Sequence, residues 1–112
     1  MTFLYWILSW FGHSEYARLG GSARSPKWRA VRNAFIKAHP HCAVCGGDTD
    51  LDIHHCIPFS VNPMLELDEN NLLTLCTPHH LLVGHLMSYR SYNASVRSDA
   101  SEWKLKIFNR PK

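Results

Sequence analysis

Two short pairs of metal-binding residues constrain this chain more than anything else in it. They are Cys42-Ala43-Val44-Cys45 and Cys76-Thr77-Pro78-His79. In each pair two residues separate the ligands, a spacing that lets one turn of backbone direct both onto a single ion. Gly46 and Gly47 follow the first pair and allow the tight turn such a knuckle needs. A lone Cys-x-x-Cys also suits a redox couple. The second pair at the same spacing decides for metal: three thiolates and one imidazole form a set suited to tetrahedral structural zinc. Cys56 is left over. It reads as a small buried hydrophobe, with an all-cysteine site using Cys56 in place of His79 as the alternative.

A chain of 112 residues makes one domain with little core to spare, and eight His and four Cys indicate that metal supplements that core. Charge is unevenly laid out. Residues 1–45 carry six bases against Glu15, residues 46–75 carry six acids and no base, and residues 76–112 carry six bases against Asp99 and Glu102. Basic flanks around an acidic middle suit a polyanion held beside a metal centre, and a well-solvated surface explains them equally well. Phe3 to Phe11 is apolar and aromatic. At nine residues it is too short for the about 20 that span a bilayer. It also lacks the basic start and small-residue cleavage site of an export signal. We expect no membrane association, a cytoplasmic protein without disulfides, and this segment packed on the domain.

Ser25-Pro26 predicts a helix start, and Trp28, Val31 and Phe35 recur as an apolar stripe before His39-Pro40 ends it. Arg29, Asn33 and Lys37 fall on the outer side. Leu51, Ile53 and His55 alternate with Asp52 and His54 as a strand, and Leu72 to Leu75 reads as its partner. Thr77-Pro78 opens a helix whose expected buried side is Leu81, Leu82, Val83, Leu86 and Met87. Asp99-x-x-Glu102 reads as a capping box opening a last helix with Trp103 and Ile107 on one face. Adjacent strand residues point to opposite faces, so His54 and His55 can serve one site only where the strand ends or bulges.

Together, Cys42-x-x-Cys45, His54-His55-x-x-Pro58, Asn71-Leu72-x-x-Leu75-Cys76 and His79-His80 resemble the small phage-type HNH endonucleases over residues 24–90. The resemblance implies an α+β fold: a ββα-metal (His-Me finger) core with a zinc knuckle of three Cys and one His, and flanking helices. The chain then divides into the apolar N-terminal segment at 1–23, the nuclease domain at 24–90 that the resemblance implies, and a C-terminal helical tail at 91–112 like those of some members. The implied activity is metal-dependent hydrolysis of DNA phosphodiester bonds, by nicking or double-strand cleavage. His55 matches the general base and Asn71 the residue that steadies the hairpin and aims it. His54 and His80 match ligands of one catalytic divalent ion (Mg2+, Mn2+, Co2+ or Ni2+), and Cys42, Cys45, Cys76 and His79 hold structural Zn2+. His85 is expected to cap or pack, with a third-ligand role as the alternative. Arg24, Lys27, Arg29 and Lys37 are the expected DNA contacts. A phage terminase or packaging machinery is the partner the resemblance suggests, in the cytoplasm of a host cell. The other function class is a non-catalytic zinc-knuckle module that binds DNA or protein; it would not need His54, His55 and His80.

Overall fold

A computed structural model describes residues 24–111; the expectations for Phe3 to Phe11 lie outside them. The fold is α+β. Helix α1 (Trp28–Ala38) leads to the Cys42–Cys45 turn and then to strand β1 (Leu51–His55). A loop containing 3-10 turns at Pro63–Leu65 and Glu69–Asn71 returns the chain to strand β2 (Leu72–Cys76). Helix α2 (Thr77–His79) runs directly into a π-helical turn (His80–Gly84), and α3 (Val96–Phe108) closes the domain.

The strands pair antiparallel in a two-stranded sheet, with Leu51 opposite Cys76, Ile53 opposite Thr74 and His55 opposite Leu72. This register sets Cys76 at one end of the hairpin and His55, next to Asn71, at the other. An isolated two-stranded sheet is marginal in water, so its faces must be covered. Helix α1 packs on β1 through Trp28, whose ring centroid lies 4.5 Å from that of His55. A core of Cys42, Val44, Leu75, Cys76, Val83, Val96 and Ala100 joins the knuckle to the sheet, the π-turn and α3. Leu75 is fully buried, which contributes about 1.5–3 kcal/mol relative to exposure. Two of the seven members of this core are cysteines of the knuckle. A metal held by the knuckle would therefore be continuous with this core.

Three element boundaries differ from the sequence expectation, each for a local reason. Ser25 does not cap α1, which begins at Trp28 with Lys27 at its N-cap. Instead the Ser25 Oγ accepts from the Lys27 amide and its carbonyl accepts from the Trp28 amide, closing a turn ahead of the helix. The segment after Thr77 does not stay helical to Met87. Leu86 and Met87 take left-handed φ values of 52° and 74°, and of the five expected buried residues only Val83 is buried. The chain leaves the helix because the His85 carbonyl is taken by Ser91 Oγ and the Gly84 carbonyl by the Asn93 amide. Finally, α3 starts at Val96, ahead of the anticipated capping box. Asn93 organises that start, accepting from the Ser95 amide and donating to Asp99 Oδ2, and Trp103 on this helix is half exposed. Among the described residues no helix is long and apolar enough to cross a membrane.

Candidate metal centres and active-site cleft

The two ligand pairs of the knuckle meet. Cys42, Cys45, Cys76 and His79 place their ligand atoms within 4.8 Å of one another. Cys45 Sγ lies 3.9 Å from Cys76 Sγ, and His79 Nδ1 lies 3.2 Å from Cys76 Sγ and 3.8 Å from Cys42 Sγ. A tetrahedron with zinc–sulfur bonds of about 2.3 Å has edges of roughly 3.8 Å between sulfurs and a little less from sulfur to nitrogen. The cluster fits such an ion. The Val44 amide donates to Cys42 Sγ and the Gly47 amide to Cys45 Sγ, each at 3.4 Å, the hydrogen bonds that steady ligating thiolates. Burial pushes the Cys42 thiol up, but amide donors from Cys45, Cys76 and Val44, with His79, outweigh it and bring it down to about 6. Burial and the neighbouring Cys42 and Cys45 thiols push Cys76 up to about 11. One thiolate therefore forms easily, and a divalent cation is what would stabilise the rest. Cys56 is outside this group. Its thiol is pushed up by burial, as suits a packing role.

A second group forms where β1 faces the π-turn: His54, His80 and His85 also bring their ring nitrogens within 4.8 Å of one another. Their hydrogen bonds decide which nitrogens are available. His85 Nδ1 lies 2.7 Å from the Ser91 carbonyl oxygen, and His80 Nδ1 lies 3.4 Å from Asp52 Oδ2. Both oxygens only accept, so each ring, when neutral, carries its proton on Nδ1 and presents a lone pair on Nε2. Those two Nε2 atoms lie 3.2 Å apart. His54 is 1% exposed, and neither of its ring nitrogens has a hydrogen-bond partner among the described residues. Its ring centroid stands 5.0 Å from that of His80 and 4.9 Å from that of His85. Converging lone pairs beside an orphaned buried imidazole are costly unless a cation lies between them. Zinc-like bonds of about 2.05 Å to nitrogen would set tetrahedral neighbours roughly 3.3 Å apart. The three residues fit a borderline transition-metal ion.

Electrostatics keep His54 and His80 neutral and able to ligate. Burial, reinforced by His80, His85 and His55, brings His54 down to about 3. Burial and His85 also lower His80, against the opposing pull of Asp52.

His55 takes the other side of β1. Its Nε2 lies 3.0 Å from the Glu66 carbonyl oxygen, so Nε2 carries the proton and Nδ1 is left as a base. Burial lowers its pKa below the ordinary 6.5, and the positive charge of Arg24 adds to this against the Glu66 carbonyl. His54 and His55 do point to opposite faces. They share one cleft because it wraps around β1, with Asp52, Ile53, His54 and His55 all lining it. The cleft measures ≈ 570 Å³, and both histidines line it with His80, His85, Arg24 and Arg32.

Asn71 is buried immediately before β2 and ties down the loop after His55. It accepts from the Ile57 amide at 2.8 Å and donates to the Ile57 and Leu65 carbonyls. Glu66 is buried in the same loop, and its carboxylate takes both Arg24 Nε and the Ser25 amide. Arg24 lies 5.4 Å from the Trp28 ring centroid and 4.8 Å from that of Phe59, within cation–π reach of both.

Of the four bases expected to touch DNA, the structure brings Arg24 to the cleft. Lys27, Arg29 and Lys37 are exposed and do not line it. Arg32, not singled out from the sequence, does line it, as the apolar stripe of α1 implies: Arg32 is four residues after Trp28, on the same helix face. Asp52 was likewise missed, although its place two residues before His54 puts it on the same strand face. Comparison with known proteins finds no family model, no curated protein and no solved structure that matches this chain.

Proposed function

We propose that this protein is a metal-dependent nuclease of the HNH type, built on a ββα-metal core, that hydrolyses phosphodiester bonds in DNA. The observation that carries the reading is the three-imidazole cluster of His54, His80 and His85, opening into the same cleft as the base nitrogen of His55. A zinc knuckle alone gives a binding module no use for a second, converging set of nitrogens.

In this reading β1, β2 and the α2/π segment are the two strands and the helix of the core. His55 Nδ1 takes a proton from a water that attacks phosphorus; the new oxygen–phosphorus bond forms as the bond to the departing 3′ oxygen breaks. The Glu66 carbonyl holds the proton on His55 Nε2 and so fixes the tautomer. Asn71 clamps the loop that carries this carbonyl. Arg24, oriented by Glu66, and Arg32 stand where a phosphate would enter. A divalent cation held by His54, His80 and His85 would supply stabilisation of the added charge on the phosphate and the leaving oxygen.

The test is cleavage of supercoiled plasmid by zinc-loaded protein, first without and then with added Mg2+, Mn2+, Co2+ or Ni2+. Nicking or linearisation only with an added cation is expected, with the imidazole-preferring ions at least as effective as Mg2+. Plasmid left intact with every cation would overturn the reading in favour of the non-catalytic binding module.

A further inference from the structure

We propose that Gly84 is a positioning residue for the three-histidine cluster: its missing side chain lets the His54 ring sit between His80 and His85. The inference rests on the proposed cation site. It begins with a spacing. Residues three or four apart share a helix face, whereas His80 and His85 are five apart, roughly 140° out of register in a regular α-helix. The π-turn removes the mismatch, for the His85 amide bonds the His80 carbonyl at 3.1 Å and adds one residue to the turn. Single π-turns recur at functional sites.

Bringing the two rings together leaves His54 to enter over the backbone of the turn. A Cβ added at Gly84 would lie 3.1 Å from His54 Cε1, 3.1 Å from His54 Nδ1 and 3.3 Å from His80 Cδ2. Nothing around it can yield easily. His54 is buried and flanked by the other two rings. On the far side, Asn93 pins the turn, its amide donating to the Gly84 carbonyl at 2.9 Å and its Nδ2 to the Val83 carbonyl at 3.1 Å. A methyl group must therefore shift an imidazole by a few tenths of an ångström, and metal–ligand distances tolerate about 0.2 Å. Gly84 does not have a left-handed φ, so backbone conformation does not demand glycine here. Without the clash, alanine would be the better residue in this turn. The two explanations thus differ in sign.

Zinc-loaded full-length wild type, Gly84→Ala, His54→Ala and the double variant separate them, by Ni2+ titration calorimetry and by melting temperature without added cation. Gly84→Ala should bind Ni2+ roughly 10–100-fold more weakly, the range seen when a ligand's support is disturbed. It should also melt lower than wild type, and the same change should cost clearly less once His54→Ala has made room, with only the 3.3 Å contact to His80 Cδ2 left. A Gly84→Ala protein that fails to fold while the double variant folds supports the proposal equally. An unchanged Ni2+ affinity with a higher melting temperature would overturn it. So would an equal loss of stability in both backgrounds, or unfolding in both. Wild type that binds no Ni2+ beyond the zinc would instead sink the cation reading, while the melting cycle still judges the contact between Gly84 and His54.

Discussion

Replacing His54 by leucine should expose the energetic cost of the three-histidine cluster. His54 buries two ring nitrogens with no partner, and an unsatisfied buried polar atom costs about 1–3 kcal/mol, so the pair strains the metal-free site by roughly 2–6 kcal/mol. Leucine fills a similar volume and removes both polar atoms, a change that is near neutral or stabilising when no polar partner is left stranded. Zinc-loaded His54→Leu without added cation should therefore melt at or above the wild-type temperature, although a buried, fully packed side chain has been replaced. Added Ni2+ should reverse the order. At one hundred times its dissociation constant, a ligand specific for the folded state adds about 2.7 kcal/mol. In a domain of this size that amounts to roughly 10–20 °C in melting temperature. Wild type should gain this increment and His54→Leu should not. Differential scanning fluorimetry with and without Ni2+ reads both arms. A large drop in the melting temperature of His54→Leu without cation, together with no Ni2+ gain in wild type, would refute the reasoning and make His54 an ordinary packed histidine.

Removing a knuckle ligand by Cys42→Ser or Cys76→Ser should leave an unfolded or aggregated chain, because structural zinc supplies on the order of 10 kcal/mol of folding free energy; Cys56→Ala should stay folded, and elemental analysis should find tightly held zinc in the folded protein. His55→Ala should keep both metals yet lose about 10²–10⁴-fold in cleavage rate, the usual worth of a general base; plasmid cleavage at the wild-type rate would remove His55 from the mechanism. The neutral form of His55 is the base and its pKa is lowered. The acid limb of kcat/KM should accordingly fall below pH 6.5, and a limb above that value would contradict the environment described. DNA affinity should fall steeply with salt. Arg32→Gln should weaken binding more than Lys37→Gln, since Arg32 lines the cleft and Lys37 does not; equal effects in a binding titration would count against that docking face.

Much of the site was legible because it depends on ligand chemistry and short-range spacing. Within each of Cys42-x-x-Cys45 and Cys76-x-x-His79 the ligands lie a turn apart, so convergence of the two pairs needs only that the chain return, and in the structure their ligand atoms gather within 4.8 Å of one another. The hairpin was legible for a related reason: period-two alternation over Leu51–His55 specifies a strand, and a chain returning to the zinc must lay a second strand beside it. The helix after Thr77 was not. Its apolar residues at Leu81, Leu82, Val83, Leu86 and Met87 suit a longer helix, but Asn93 and Ser91 claim the Gly84 and His85 carbonyls from further along the chain. Local propensity contains no record of those partners. The same tertiary contacts change the part His85 can play. Sequence spacing favours capping or packing for a histidine five residues past His80, because an α-helix would turn it away. Only the π-turn, closed over a glycine that faces the His54 ring, sets its Nε2 3.2 Å from that of His80. Residue types and spacing along the chain thus determined which atoms can bind metal. Long-range hydrogen bonds and packing decided which of them meet, because the direction of a ring nitrogen depends on partners distant in sequence.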